Sequence, residues 1–143
     1  MSKKQESVKQ VIKKSSEFIE RIYSNDRFEK LSDGWIRDNL LWIDWAPSSE
    51  DYMNLKAAEG YCKKQGGRLP TIDELRLLID YRRYNPAIFD IFKDTKSRWY
   101  WSGTMDVDPQ FAGFAWCVGF GSGGVRYGHK GYDYYVRPVR ASQ

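Results

Sequence analysis

The chain has 143 residues, a length that predicts one domain with a single core. Its formal net charge of +4 comes from the first fifteen residues, where five lysines stand against one glutamate, so the remaining sequence is close to neutral. No run approaches the ~18 apolar residues of a membrane span, and no apolar segment follows the basic start as it would in a signal peptide. These features predict a cytoplasmic protein without a membrane span, with association with a phage particle as an alternative.

Aromatic side chains account for 16% of the sequence, with six Trp, ten Tyr and seven Phe. Large flat side chains fill irregular cores well, and they also serve as anchors at recognition surfaces. We expect both uses in this chain. Two cysteines, Cys62 and Cys117, are too few for a disulfide framework and fit reduced thiols.

The N-terminal segment places apolar residues at three- and four-residue steps, which predicts an amphipathic helix over 5–24. The apolar positions are Val8, Val11, Ile12, Phe18, Ile19 and Ile22. We therefore divide the chain into a basic helix at 1–24 and a domain at 25–143. About two heptads are short for a self-sufficient coiled coil. We expect the apolar stripe to dock on the chain's own domain, with pairing to a second copy, and thus a homo-oligomer, as the alternative.

The first part of the domain combines short strands with a helix. Alternating and apolar runs predict strand pieces at 27–31, 35–39 and 40–45. Ser48 and Ser49 precede two acidic residues, a pattern that predicts the start of a helix. The apolar positions that follow extend this helix to Gln65.

A pair of glycines and a capping pattern separate this helix from a second one. Gly66 and Gly67 can take the positive φ that ends a helix. Thr71 lies three residues before Glu74, which is the spacing of a capping box. The sequence therefore predicts a tight turn and then a helix over 71–82.

The last third of the chain alternates between strands and glycine-rich connections. We predict a strand at 99–102, a loop at 103–113, a strand at 114–120, a turn at 121–124, an extended piece at 125–127, a loop at 128–133 and a final strand at 134–140. Strands at both ends with two helices between them predict an α+β domain.

Several motifs, taken in order, carry a family likeness. They are Arg27-Phe28, Gly34-Trp35-Ile36-Arg37-Asp38-Asn39 with Trp42, Ala58 to Cys62, Gly67-Arg68-Leu69-Pro70-Thr71 with Glu74-Leu75 and Ile79-Asp80, Tyr100-Trp101-Ser102, Ala115-Trp116 with Val118 and Phe120, and Tyr135-Val136-Arg137 with Val139-Arg140. Over residues 27–140 the chain resembles the Lcl C-terminal domain family, bacterial and phage modules placed with the C-type-lectin-like fold. The resemblance implies a C-type-lectin-like fold with two core helices and a small, mostly antiparallel twisted sheet. It also implies a scaffold whose long loops bind a partner.

One departure from the family pattern concerns the cysteines. Family members often carry a cysteine between the Arg and Val of the last motif, positioned to bridge the cysteine of the first long helix. Here that position is Pro138, so Cys62 lacks the partner that the resemblance implies. The formylglycine-generating enzymes, distant relatives of this family, use a closely spaced cysteine pair. Cys62 and Cys117 are predicted on separate elements, so we expect no enzyme and keep such an activity only as an alternative that the cysteine positions disfavour.

The remaining polar candidates for chemistry have simpler interpretations. Asp106 and Asp108 carry oxygen ligands that suit calcium, but the chain lacks the Glu-Pro-Asn, Gln-Pro-Asp and Trp-Asn-Asp tripeptides that mark sugar-binding C-type lectins. We interpret Asp108-Pro109-Gln110 as a turn and expect no metal and no cofactor. His129 is the only histidine, and we interpret it as a surface contact residue.

The sequence thus favours a non-enzymatic binding module, such as a phage structural component or a small intracellular inhibitor from a mobile element. Its recognition face would be the 103–113 and 121–134 loops, and its partner another protein, with a glycan as an alternative. The predicted binding residues are Asp106, Asp108, Gln110, Phe111, Arg126, Tyr127, His129, Lys130 and Tyr132. A second hypothesis is a nucleic-acid-associated protein whose contacts come from Lys3, Lys4, Lys9, Lys13 and Lys14.

Overall fold

The computed structural model describes residues 2–143 and has an α+β architecture with two small antiparallel sheets. The helices are α1 (Lys3–Ile22), α2 (Leu55–Lys64), α3 (Ile72–Arg76) and a 3-10 helix (Pro109–Phe111). The strands are β1 (Phe28–Lys30), β2 (Ile36–Asp38), β3 (Ile43–Trp45), β4 (Trp99–Met105), β5 (Phe114–Gly119), β6 (Gly124–His129) and β7 (Val139–Ala141). The predicted α+β class is confirmed, but the strands form two sheets where the resemblance implied one.

The two sheets differ in how their strands are connected. The first sheet has the order β1-β2-β3-β7, so the last strand returns to pair with β3. The second sheet is the meander β4-β5-β6. A single bridge between Tyr100 and Tyr135 links β4 to the segment that leads into β7. The second sheet is therefore attached to the first through its β4 edge, and β6 lies at the opposite edge.

The N-terminal helix forms as its periodicity predicts, but it does not dock. Ser2 caps it, because its Oγ accepts from the Gln5 N–H at 3.2 Å while the Gln5 side chain accepts from the Ser2 N–H at 2.9 Å. Every residue from Ser2 to Arg21 is exposed, and only Ile22, at the last turn, is partly buried against the core. The expectation that the apolar stripe packs on the chain's own domain is wrong.

The first helix of the domain begins later than Ser48 and Ser49 predicted. Asn54 is its N-cap and accepts from the Ala57 N–H at 2.9 Å. The two serines are buried and bond elsewhere: the Ser48 N–H donates to the Asp94 carboxylate, and the Ser49 Oγ accepts from the Val136 N–H. These tertiary partners, which sequence spacing cannot indicate, remove both serines from the helix.

The turn between α2 and α3 forms as predicted. Gly66 has φ +84°, and a Cβ at Gly67 would collide with the Val139 carbonyl oxygen, so only glycine fits at that position. The capping box is present: the Thr71 Oγ1 accepts from the Glu74 N–H at 3.1 Å, and the Glu74 carboxylate accepts from the Thr71 N–H at 2.8 Å. The turn therefore lies directly against β7.

The second predicted helix is much shorter than 71–82. It ends at Arg76, and the following N–H groups of Leu78 and Ile79 bond three residues back in tighter turns. Ile79 then pairs with Ile88 as an isolated antiparallel bridge. The predicted final strand at 134–140 is likewise reduced to β7, because Tyr134 and Tyr135 form only single bridges to other segments.

Two apolar clusters cover opposite faces of the second sheet. One packs the first sheet, α3 and the segment after it against Tyr100, Val118 and Phe120. The other packs α2 against Trp101, Ala115 and Cys117. The second sheet is therefore buried on both sides near β4 and β5.

A buried ion pair joins the helix end, the first sheet and the segment after α3. The Arg27 guanidinium contacts the Asp38 carboxylate at 3.0 Å, and both side chains are almost completely buried. Arg27 also donates to the backbone oxygens of Ile22 and Leu77. Asp38 further accepts from the Trp45 indole N–H at 3.2 Å. Each charge thus has partners that offset the cost of its burial.

We expect Asp38→Ala to lower the free energy of unfolding by about 3–5 kcal/mol, because it leaves the Arg27 charge buried without its counter-ion. Urea unfolding followed by tryptophan fluorescence measures this change. Asp90→Ala is the matched control, since the Arg83–Asp90 pair is exposed, and its effect should stay within about 1 kcal/mol. Equal effects of the two substitutions would contradict the importance assigned to the buried pair.

Candidate functional site

Strand register brings aromatic side chains together on the outer half of the second sheet. Trp116 pairs with Tyr127, and Phe114 pairs with His129, across β5 and β6. Because side chains two apart on a strand share a face, these four lie on one face of the sheet. The Phe114 ring centroid lies 5.5 Å from that of Tyr127 and 5.2 Å from that of His129. Phe111 from the 3-10 helix completes the group, 4.5 Å from Tyr127.

We call Phe111, Phe114, Trp116, Tyr127 and His129 the aromatic patch. Tyr127 is 39% exposed, and the other four are half-buried. Edge-to-face packing between the rings, with interplanar angles of 79° to 85°, is the favourable geometry for aromatic pairs. The patch is therefore an ordered apolar surface that remains open to a partner on its outer side.

The loop before β5 positions Phe111 through its two aspartates. The Asp106 carboxylate accepts from the Asp108 N–H at 2.9 Å, and the Asp108 carboxylate accepts from the Gln110 N–H at 3.0 Å. Asp108 thereby caps the 3-10 helix, with Pro109 at its first position. The predicted turn is confirmed. Both carboxylates organise the backbone that carries Phe111 to the patch.

The turn after β6 forms the other side of the patch. The Lys130 N–H donates to the Gly113 carbonyl at 2.9 Å, so this turn and the loop before β5 are bonded to each other. The His129 Nδ1 accepts from the Gly131 N–H at 3.0 Å. Tyr132 is 57% exposed, with its ring centroid 5.9 Å from that of His129. Tyr132 thus borders the aromatic patch, whereas the Lys130 side chain lines a groove with Leu55 and Lys56 of α2.

Seven of the nine predicted binding residues therefore lie in one region; besides Lys130, whose side chain lies beside α2, the exception is Arg126. It alternates with Tyr127 along β6 and lies on the opposite face, the side covered by α2. Its guanidinium is 3.9 Å from the Trp99 ring centroid and donates to the Tyr134 hydroxyl at 3.2 Å. The assignment of Arg126 to the same binding face is wrong, because strand alternation turns it away.

The predicted loops also differ from the structure. β4 extends to Met105, which shortens the first loop, and β6 (Gly124–His129) occupies the middle of the second predicted loop, 121–134. The glycine turn that precedes β6 lies at the far end of the hairpin, where Gly123 packs against Ile79 and Tyr81. That turn is not part of the aromatic patch.

Two patch residues, Phe114 and Trp116, were absent from the predicted site. Both were assigned only to a strand. They alternate with Ala115 and Cys117, and this pattern of large and small residues indicates two different faces on β5. The pattern was visible in the sequence, although which face stays uncovered depends on where α2 and α3 pack.

Trp42 is an exposed aromatic residue outside the aromatic patch, and it was predicted as part of a strand. It lies in the turn between β2 and β3 with φ 57°, and its side chain is 69% exposed. The Trp42 N–H donates to the Asp38 carbonyl at 2.9 Å, a bond that closes the turn. A non-glycine residue with this φ is uncommon. Arg21 and Asn39 lie beside it around a shallow pocket.

The outer edge of β6 has no pairing partner within residues 2–143. The Trp101 N–H donates to the Tyr135 carbonyl, so the backbone groups of Trp101 point away from β5. Hydrogen-bonding direction alternates along antiparallel strands. Trp101 pairs with Cys117 on β5, and Cys117 pairs with Arg126 on β6, so the backbone N–H and C=O of Arg126 point inward to β5. The N–H and C=O groups of Val125 and Tyr127 therefore point outward along the free edge of β6.

Neither cysteine is placed for chemistry. Cys62 and Cys117 are free thiols with no exposed surface, and both lie in the cluster between α2 and the second sheet. Burial raises the pKa of each thiol to about 12. Among residues 2–143, no three His, Cys, Asp or Glu side chains are grouped to hold a metal ion. No helix in the same part of the chain is both long and apolar enough to cross a bilayer.

The architecture is that of a small α+β domain that displays an aromatic surface beside an open strand edge. The model of the Lcl C-terminal domain family matches residues 24–140, and the chain belongs to that family. α1 precedes the matched range. No curated protein matches the sequence.

We expect both thiols to resist alkylation in the native protein at mildly alkaline pH. The thiolate is the reactive form, and a pKa of about 12 keeps each group protonated there. Mass spectrometry after iodoacetamide treatment measures the modification. In urea both cysteines should react, which is the control for reagent activity. Fast modification of either one in the folded protein would show that its site opens readily.

Proposed function

We propose that the chain is a non-enzymatic binding module that recognises a partner protein through the aromatic patch and the adjoining loop and turn. The observation that carries this proposal is the exposed face of mutually packed rings on the second sheet. Tyr and Trp are enriched among the residues that dominate binding energy at protein interfaces. An apolar centre with charged groups around it is also the usual anatomy of such an interface.

The rigidity of the patch favours binding. Each ring is held by its neighbours or by strand pairing, and Phe111 is held by the capped 3-10 helix. Side chains that are already ordered lose little conformational entropy when a partner covers them, so more of the contact energy appears as affinity. Asp106, Asp108 and Gln110 support this arrangement, and Tyr132 provides a polar group at its border.

The open edge of β6 adds a second kind of contact next to the rings. The outward N–H and C=O groups of Val125 and Tyr127 match those of an extended segment of a partner. Strand addition obtains affinity from backbone hydrogen bonds and specificity from neighbouring side-chain contacts. A partner that pairs with this edge would place its own side chains over Tyr127.

Several finer aspects of the hypothesis remain predictions. They are the C-type-lectin-like character of the body, the phage or mobile-element role, and the cytoplasmic or virion-associated location. A glycan partner would use ring faces together with the loop carboxylates. A nucleic-acid partner would use Lys3, Lys4, Lys9, Lys13 and Lys14, and its affinity would fall steeply with added salt.

We expect a protein captured from host lysate by the native chain to be lost on Tyr127→Ala with Lys130→Ala. The substitutions remove the most exposed ring of the patch and the charge of the adjoining turn. With the captured protein purified, titration calorimetry should show affinity weakened by at least about tenfold, the usual effect of truncating an interface anchor.

Tyr84→Ala is the matched control. Tyr84 is 77% exposed and adjoins Asn85, which bonds to the glycine turn at the far end of the hairpin. This variant should bind as the native chain does. If only nucleic acid is captured, or if the control weakens binding as much as the double variant does, the proposal is wrong.

A further inference from the structure

α1 presents a continuous apolar stripe that no other element covers. Each helical residue turns the side chain by 100°, so apolar residues at three- and four-residue steps align on one side. Val11, Ile12 and Ile19 are 64%, 60% and 58% exposed, and Val8 and Phe18 are 50% and 43% exposed. Exposed apolar surface of this extent on an ordered helix indicates an interaction site.

The charges on α1 are arranged around this stripe in a distinct order. Lys3, Lys14 and Arg21 border one side of it, and Lys9 borders the other, whereas Lys13 lies on the far face of the helix. The carboxylates Glu6, Glu17 and Glu20 lie on the face opposite the stripe. The helix therefore has an apolar stripe with basic margins, Lys9 on one side and three cations on the other, and a far face that carries the three glutamates and Lys13.

The basic margins are available to a partner. None of the six Lys and Arg side chains of α1 forms an ion pair with any group in the described part of the chain. The one hydrogen bond that any of them makes to the domain is from Arg21 to the Asn39 carbonyl. The occupant of the stripe must therefore be apolar at its centre and negatively charged on both sides.

A second copy of the chain does not meet this requirement. Pairing two α1 helices along their stripes would place no carboxylate beside the cations of the margins, because the glutamates of each copy lie on its far face. Lys4 lies within the stripe near its N-terminal end, and Ser15 lies at its centre with its hydroxyl bonded back to the Val11 carbonyl at 3.0 Å. A tight seam would bury the Lys4 charge.

We propose that α1 lies on anionic lipid bilayers, with its stripe inserted at the headgroup boundary and its basic margins on the lipid phosphates. A flat surface contacts both margins at once and leaves the three glutamates in water. Lys4 can extend its ammonium to the headgroups while its methylene chain stays apolar. α1 joins the domain only at its last turn, so its length is free to lie along a surface.

Flotation with vesicles tests this inference on the full chain. We expect retention on phosphatidylcholine vesicles that contain phosphatidylserine and not on phosphatidylcholine alone. Ile12→Gln with Ile19→Gln should reduce binding by at least about tenfold by removing inserted surface. Lys9→Gln with Lys14→Gln should reduce it by a similar factor, since each cation near an anionic surface contributes several-fold.

Glu17→Gln is the matched control, because it changes a charge on the far face and keeps a good helix former. It should bind as the native chain does, and circular dichroism should show equal helix content in all variants. Equal retention on both vesicle types, or no retention on either, would overturn the proposal. So would loss of binding in the lysine variant alone, which describes a purely electrostatic contact such as one with nucleic acid. A dimer in sedimentation that the isoleucine variant abolishes, without vesicle binding, would assign the stripe to a second copy.

Discussion

The buried pair of Arg27 and Asp38 is the interaction on which the rest of the structure depends. Two charges removed from water are stable only when each has a full set of partners. Arg27 meets that condition by bonding the end of α1 and the segment after α3, and Asp38 by bonding the turn before β3 and the Trp45 indole. The end of α1, β2 with the turn to β3, and the segment after α3, which alone is distant in sequence, must therefore come together at this pair.

Further buried charges carry this constraint toward the second sheet. The Asp44 carboxylate holds Arg37 and Arg140, which joins β2, β3 and β7. Arg137 lies just before β7, and its buried guanidinium donates to the Ala46 carbonyl and pairs with the Asp94 carboxylate. Next to it, the Tyr135 backbone pairs with β4. The second sheet is thus anchored at one edge, and its other edge and the aromatic patch remain open on a rigid support.

α1 takes no part in this network apart from its last turn. Its stability comes from its own cap and hydrogen bonds, and its apolar stripe contributes nothing to the core. The aromatic patch and the stripe therefore belong to separate parts of the molecule and invite different partners, a protein for one and a lipid surface for the other. Either proposal can fail without affecting the other, because no residue is shared between the two surfaces.

Features that depend on near neighbours in the chain were predicted well from the sequence. The helical period of α1, the positive φ of Gly66 and the capping box of Thr71 and Glu74 need only local geometry. The placement of Phe111 and Tyr127 on one recognition face was expected from the family resemblance and not from local spacing. Features that need a distant partner were missed. Ser48 and Ser49 bond to distant residues and so lie outside the helix that they were predicted to start. α3 is shorter than predicted, and the Arg126 side chain lies on the face of β6 opposite that of Tyr127. An amphipathic sequence forms a helix by its own hydrogen bonds, but only packing decides whether its apolar side is covered, and on α1 it is not.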